Sequence, residues 1–87
     1  MMFVILCYDV NARRDARIRK LVMKYLHPLQ RSVFEGELTD KRLRMMKSLL
    51  ASALDPETDS ITIYCMENVS GVRKTEIGSV LPENDYL

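Results

Sequence analysis

Two features of residues 3–20, FVILCYDVNARRDARIRK, could do chemistry. The first is Asp9, the only acid among the first fourteen residues, placed where an apolar run stops. A carboxylate held at the end of a rigid element can bind a cation. Mg²⁺ asks for one or two carboxylates, several waters and a substrate phosphate, and another divalent metal could serve. One Asp9 is a thin site, but a two-fold pair of chains would bring two. Asp9 could also cap the turn that follows it through its own backbone, and on the residue alone that is the commoner role. The second feature is four arginines in seven residues, Arg13, Arg14, Arg17 and Arg19, with Arg31 further on. Guanidinium forks bind phosphate with paired hydrogen bonds and stay charged. A solvated helix face is the usual alternative, and the preference for Arg over Lys in residues 13–19 leans towards phosphate.

Other chemistries are poorly supplied. One histidine and two separated cysteines give no zinc spacing. P-loop, dinucleotide and nucleophile-elbow motifs are missing. Aromatic residues are few and lack the pattern of an RNA-recognition motif, so base-specific reading is not expected. Tyr8 and Phe34 read as core or interface residues. Net charge is only +1 but unevenly placed: residues 1–47 hold 11 Lys/Arg against 5 Asp/Glu, and residues 48–87 hold 2 against 7. A basic face for an anionic partner would produce this split, as would two halves that neutralise each other.

These residues need elements to position them. Residues 2–9 read as a central strand, apolar on both faces. Asn11 caps a first helix whose stripe is Ile18, Leu21, Val22, Tyr25 and Leu26, ended by His27-Pro28. Residues 30–38 are extended, with a bulge or bend at Gly36, and form either one bent strand or two strands joined by a tight reversal. Thr39 or Asp40 caps a second helix with the stripe Leu43, Met46, Leu50, Ala53 and Leu54, and Pro56 lies beyond it. Residues 59–66 form another strand apolar on both faces. Asn68 to Gly71 is turn-like, and residues 72–80 form an edge strand.

This order predicts an α+β fold, a ferredoxin-like βαββαβ sandwich with two helices on one face of an antiparallel sheet. The domain spans 1–80 and a tail spans 81–87. The helices cover one sheet face, and the same face of a second copy is the simplest cover for the other, giving a homodimer. No apolar run approaches the ~20 residues of a membrane span. No signal peptide is expected either, because the N-terminus lacks a leading basic region and a cleavage site. Cytoplasmic location follows by default, with Cys7 and Cys65 as free thiols.

The strand ending YDV (Tyr8, Asp9, Val10), the arginine-rich helix, QRSVFEGEL (Gln30 to Leu38) and DSITIYCM together resemble the CRISPR-associated protein 2 family. The similarity runs over residues 2–68. It implies a ferredoxin-like homodimer that acts in the acquisition of CRISPR spacers beside the CRISPR integrase. It also implies a metal-dependent endonuclease, cutting single-stranded RNA in some members and double-stranded DNA in others. In further members the protein serves as a DNA-binding scaffold. The family's metal-binding aspartate falls on Asp9, one per subunit, which reverses the preference for a turn cap. Its functional tyrosine, arginines and phenylalanine fall on Tyr8, Arg17, Arg19, Arg31 and Phe34, with Tyr8 catalytic beside Asp9 and Phe34 near the interface. Many members carry an aromatic residue where this chain has Arg31.

Three functions therefore compete. One is an Mg²⁺-dependent nuclease built on paired Asp9. Another is a non-catalytic module that grips DNA and bridges integrase subunits. The third is a regulatory domain for a small ligand, which the arginine cluster disfavours.

Overall fold

The computed structural model describes residues 1–68 and 71–78. Its elements are β1 (Met2–Asp9), α1 (Ala12–Val22), β2 (His27–Gln30), β3 (Val33–Leu38), α2 (Asp40–Ala53), β4 (Ser60–Asn68) and β5 (Gly71–Gly78). The five strands form one sheet in the order β2-β3-β1-β4-β5. Every neighbouring pair is antiparallel. The first four strands and the two helices make the ferredoxin-like arrangement, and β5 extends the sheet beyond β4.

β1 lies at the centre because it can be covered on both sides. Met2, Val4, Leu6 and Tyr8 are buried, while Phe3, Ile5 and Cys7 between them are half-buried. The buried set packs in the core with Ile18 and Val22 of α1 and Leu43, Met46 and Leu50 of α2. The other set shares its face with Tyr64 and Met66 of β4, both exposed. Register also places Glu35 and Glu37 of β3 on that face, opposite Ile5 and Phe3. The open face is thus apolar in the middle with carboxylates beside it. Cys7 belongs to the open face and Cys65 to the core face, so the two free thiols stand on opposite sides of the sheet.

Both caps are as expected. The Asn11 side chain accepts from the Arg13 N–H, and that of Thr39 from the Arg42 N–H. Two details differ from the sequence reading, and one alternative that it left open is decided. α1 stops at Val22, not at His27-Pro28. Beyond it Lys24 and Tyr25 bond back only three residues, to Leu21 and Val22, so the helix tightens into turns. Residues 27–38 are two strands, joined through Arg31 and Ser32. Pro28 lies on the outer strand, where its lack of an N–H does least harm. Finally, Gly36 is not a bulge: it pairs regularly with Val4, and the irregularity falls between Pro28 and Gln30. A Cβ at Gly36 would stand 3.0 Å from Leu26 Cδ2, so the glycine makes room for that buried leucine. The 81–87 tail and part of the expected 68–71 turn lie outside the described residues.

Candidate nucleic-acid and metal site

Asp9 is the last residue of β1 and is exposed. The two-residue period of a strand puts it on the open face with Phe3, Ile5 and Cys7, across from Ser60 of β4. It does not cap the following turn; Asn11 does. Among the described residues no hydrogen bond or ion pair engages its carboxylate. Nor do they contain a group of three or more His, Cys, Asp or Glu that could hold a metal. At the end of β1 the described residues therefore offer one unengaged carboxylate, able to serve as one ligand among several.

Tyr8 stands on the opposite face, buried, with its ring stacked on Phe34 at 5.8 Å and 20°. The Arg19 guanidinium lies 5.4 Å from the Phe34 centroid, within cation–π range. Its Nη1 donates to the Arg31 carbonyl at 2.6 Å, and the Tyr8 hydroxyl donates more weakly to the same oxygen at 3.4 Å. The Tyr8 backbone N–H donates to the Ser32 carbonyl at 3.1 Å. Burial, and then the nearby Asp15 carboxylate, raise the Tyr8 pKa, so the phenol holds its proton at neutral pH. Tyr8, Arg19 and Phe34 thus brace the β2–β3 turn. The side chain of Arg31 itself is 84% exposed and only loosely paired with Asp15, at 3.5 Å.

The five expected phosphate-binding arginines separate into different situations. Arg13 and Arg17 are exposed and, with Lys20, follow one another at helical spacing on the side of α1 opposite Val22. Arg31 presents its guanidinium from the turn. Arg19 is engaged there. Arg14 was expected to meet phosphate, but its Nε and Nη2 both donate to the Asp59 carboxylate and Nη2 also donates to Thr58. The fold takes up that guanidinium because α1 turns Arg14 towards the α2–β4 loop.

Residues 2–73 match the family model described as CRISPR associated protein Cas2. The chain belongs to the Cas2 family. It is 46% identical over 69 residues to the CRISPR-associated endoribonuclease Cas2 of Nanoarchaeum equitans, covering 79% of this chain and 75% of that one. It is 40% identical over 78 residues to CRISPR-associated endoribonuclease Cas2 3 of Thermodesulfovibrio yellowstonii, covering 90% and 89%. A crystal structure of a Cas2 protein superposes with a TM-score of 0.74 at 34% identity, covering 99% of this chain and 93% of that one.

Within this Cas2 chain the sequence reading missed two acids. Asp15, in the first turn of the basic helix, tempers Arg31 and Tyr8. The sequence places Asp59 at the start of a strand, but β4 begins at Ser60, and Asp59 is the only fully buried charged residue among those described. Hydrogen bonds from Arg14, outweighing the effect of burial and helped by the backbone of Asp55 and Asn11, hold its carboxyl well below the usual range. No local pattern marks it, because its partners Asn11 and Arg14 lie 48 and 45 residues away.

Proposed function

We propose that this Cas2 protein is a homodimeric, metal-dependent endoribonuclease of the CRISPR adaptation system. The observation that carries this reading is Asp9, an unengaged carboxylate at the end of the central strand, on the sheet face the helices leave open. A second copy packed on that face about a two-fold axis would cover Phe3, Ile5 and Cys7 and bring a second Asp9 towards the first. The names of the relatives support RNA as the substrate.

The residues present fit a hard cation such as Mg²⁺, which accepts one or two carboxylates and leaves room for water and phosphate. Such a cation, when bound, neutralises phosphodiester charge and makes its water a better nucleophile. Arg13, Arg17 and Lys20 along α1, with Arg31 on the turn, would hold the phosphate backbone. Their contacts position the strand and carry no base preference. Tyr8 keeps its proton on the other face and sets the turn that presents Arg31. No helix among the described residues is long and apolar enough to cross a membrane. Free thiols at Cys7 and Cys65 suit a reducing cytoplasm.

The test is Asp9→Asn, which keeps shape and removes charge. It should abolish Mg²⁺-dependent RNA cleavage and leave RNA binding in chelator unchanged. Cleavage as fast as the parent's would assign the activity to another site.

A second reading is favoured by the outward line of Arg13, Arg17 and Lys20, which needs no metal to hold a nucleic acid. Here the dimer grips double-stranded DNA and bridges CRISPR integrase subunits without cutting. Spacer acquisition in cells separates the two: the scaffold survives Asp9→Asn and fails without the arginines.

A further inference from the structure

We propose that Asp59 is a positioning residue for Asp9, acting through the main chain that leaves β1. The proposal rests on the reading of Asp9 as a cation ligand. Because the Asp9 side chain has no partner among the described residues, its aim depends on its backbone. That backbone is held on both sides of the residue. Within β1, Asp9 pairs with Ser60, the residue after Asp59. Beyond β1, the Asn11 N–H donates to Asp59 Oδ1 at 2.8 Å.

The rest of the Asp59 carboxylate is fully occupied. Arg14 donates from Nε to Oδ2 and from Nη2 to Oδ1, the latter at 3.1 Å. The Asp55 N–H donates to Oδ2 at 3.0 Å, and the Thr58 hydroxyl to Oδ1 at 3.3 Å. One buried carboxylate therefore ties together the β1–α1 junction, the first turn of α1 and the loop after α2. The end of β5 closes over the same point. Gly78 has φ +99°, and a Cβ there would lie 2.0 Å from the Asp59 carbonyl oxygen. The clamp is also neutralised internally: with Arg14 forked onto it, Asp59 has no free charge with which to compete for a cation. Removing one partner of such a pair leaves the other poorly satisfied and frees the junction to move.

Manganous ion, followed by paramagnetic resonance on the full-length protein without nucleic acid, is the probe. Parent, Asp9→Asn, Asp59→Asn and Arg14→Lys are compared, and amide hydrogen exchange reads the Asn11 N–H in each. In folded Asp59→Asn, Mn²⁺ affinity should fall on the order of tenfold, the low end for groups that orient a metal ligand. Asn11 should exchange faster, and RNA binding in chelator should not change. Arg14→Lys keeps the charge, loses the fork, and should shift both readouts in the same direction by less; it decides the matter if Asp59→Asn does not fold. A folded variant that melts lower but binds Mn²⁺ like the parent would make Asp59 purely structural and overturn the proposal. If the parent and Asp9→Asn bind Mn²⁺ alike, the cation reading itself falls, and this proposal with it.

Discussion

Tyr8 and Asp9 are adjacent in the chain and leave β1 on opposite faces of the sheet. Tyr8 is buried against Phe34 under the helices, and Asp9 is exposed on the open side. Strand geometry requires this, since successive side chains alternate. The two residues therefore have separate work: in the proposed dimer Asp9 would face the second copy and a cation, while Tyr8 braces the turn that presents Arg31.

Tyr8→Phe should accordingly leave RNA cleavage within a few-fold of the parent. The lost hydrogen bond is long, and its acceptor keeps the donor from Arg19. Its removal should cost at most about 1 kcal/mol of stability. Tyr8→Ala, which also removes the stack on Phe34, should lower both stability and RNA affinity. Cleavage rates and thermal melts of the two variants check this. Loss of cleavage in well-folded Tyr8→Phe would give the hydroxyl a chemical role.

The arginines should separate in the same way. Replacing Arg13 and Arg17 by Ala removes exposed guanidinium groups and should leave the melting temperature near the parent's. Salt dependence of binding should become shallower, by about 0.7 in log–log slope for each lost phosphate contact on single strands and about 0.9 on duplex DNA. Arg14→Ala should do the reverse, lowering the melting temperature and leaving the slope of the folded protein unchanged. Binding titrations at several salt concentrations measure both. A shallower slope in folded Arg14→Ala would mean that Arg14 reaches phosphate after all.

Acid should find the Asp59 clamp. The folded carboxyl is held below its ordinary value, so in acid the unfolded chain binds the proton first. The stabilisation is complete above the unfolded value, near pH 4, and is progressively lost as pH falls below it towards the folded value. Melts from pH 6 downward should show the parent losing stability below about pH 4. Asp59→Asn should start lower and lose less over that interval. Equal slopes for the two proteins would show that other carboxylates govern acid unfolding.

How much of this was legible depended on distance along the chain. Asn11 and Thr39 could be read as caps because their partners lie two and three residues away. The two-faced character of β1 could be read because alternation is local. The end of α1 could not, because Tyr25 and Leu26 keep the helical period and still pack against or into the core after the helix has tightened into turns. Arg13 and Arg14 are the same residue type side by side, and only the fold makes one an exposed cation and the other a clamp. Asp59 was invisible for the same reason, since Asn11 and Arg14 reach it from 48 and 45 residues away.

The central claim is that one cation is shared by the Asp9 carboxylates of two copies, and mixed dimers test it most directly. Parent and Asp9→Asn chains are unfolded together, refolded in known proportions and assayed for Mg²⁺-dependent RNA cleavage at constant total protein. If both carboxylates are needed, cleavage should fall with the square of the parent fraction, because only parent–parent dimers cut. A linear fall, with each parent chain contributing alone, would contradict the shared site.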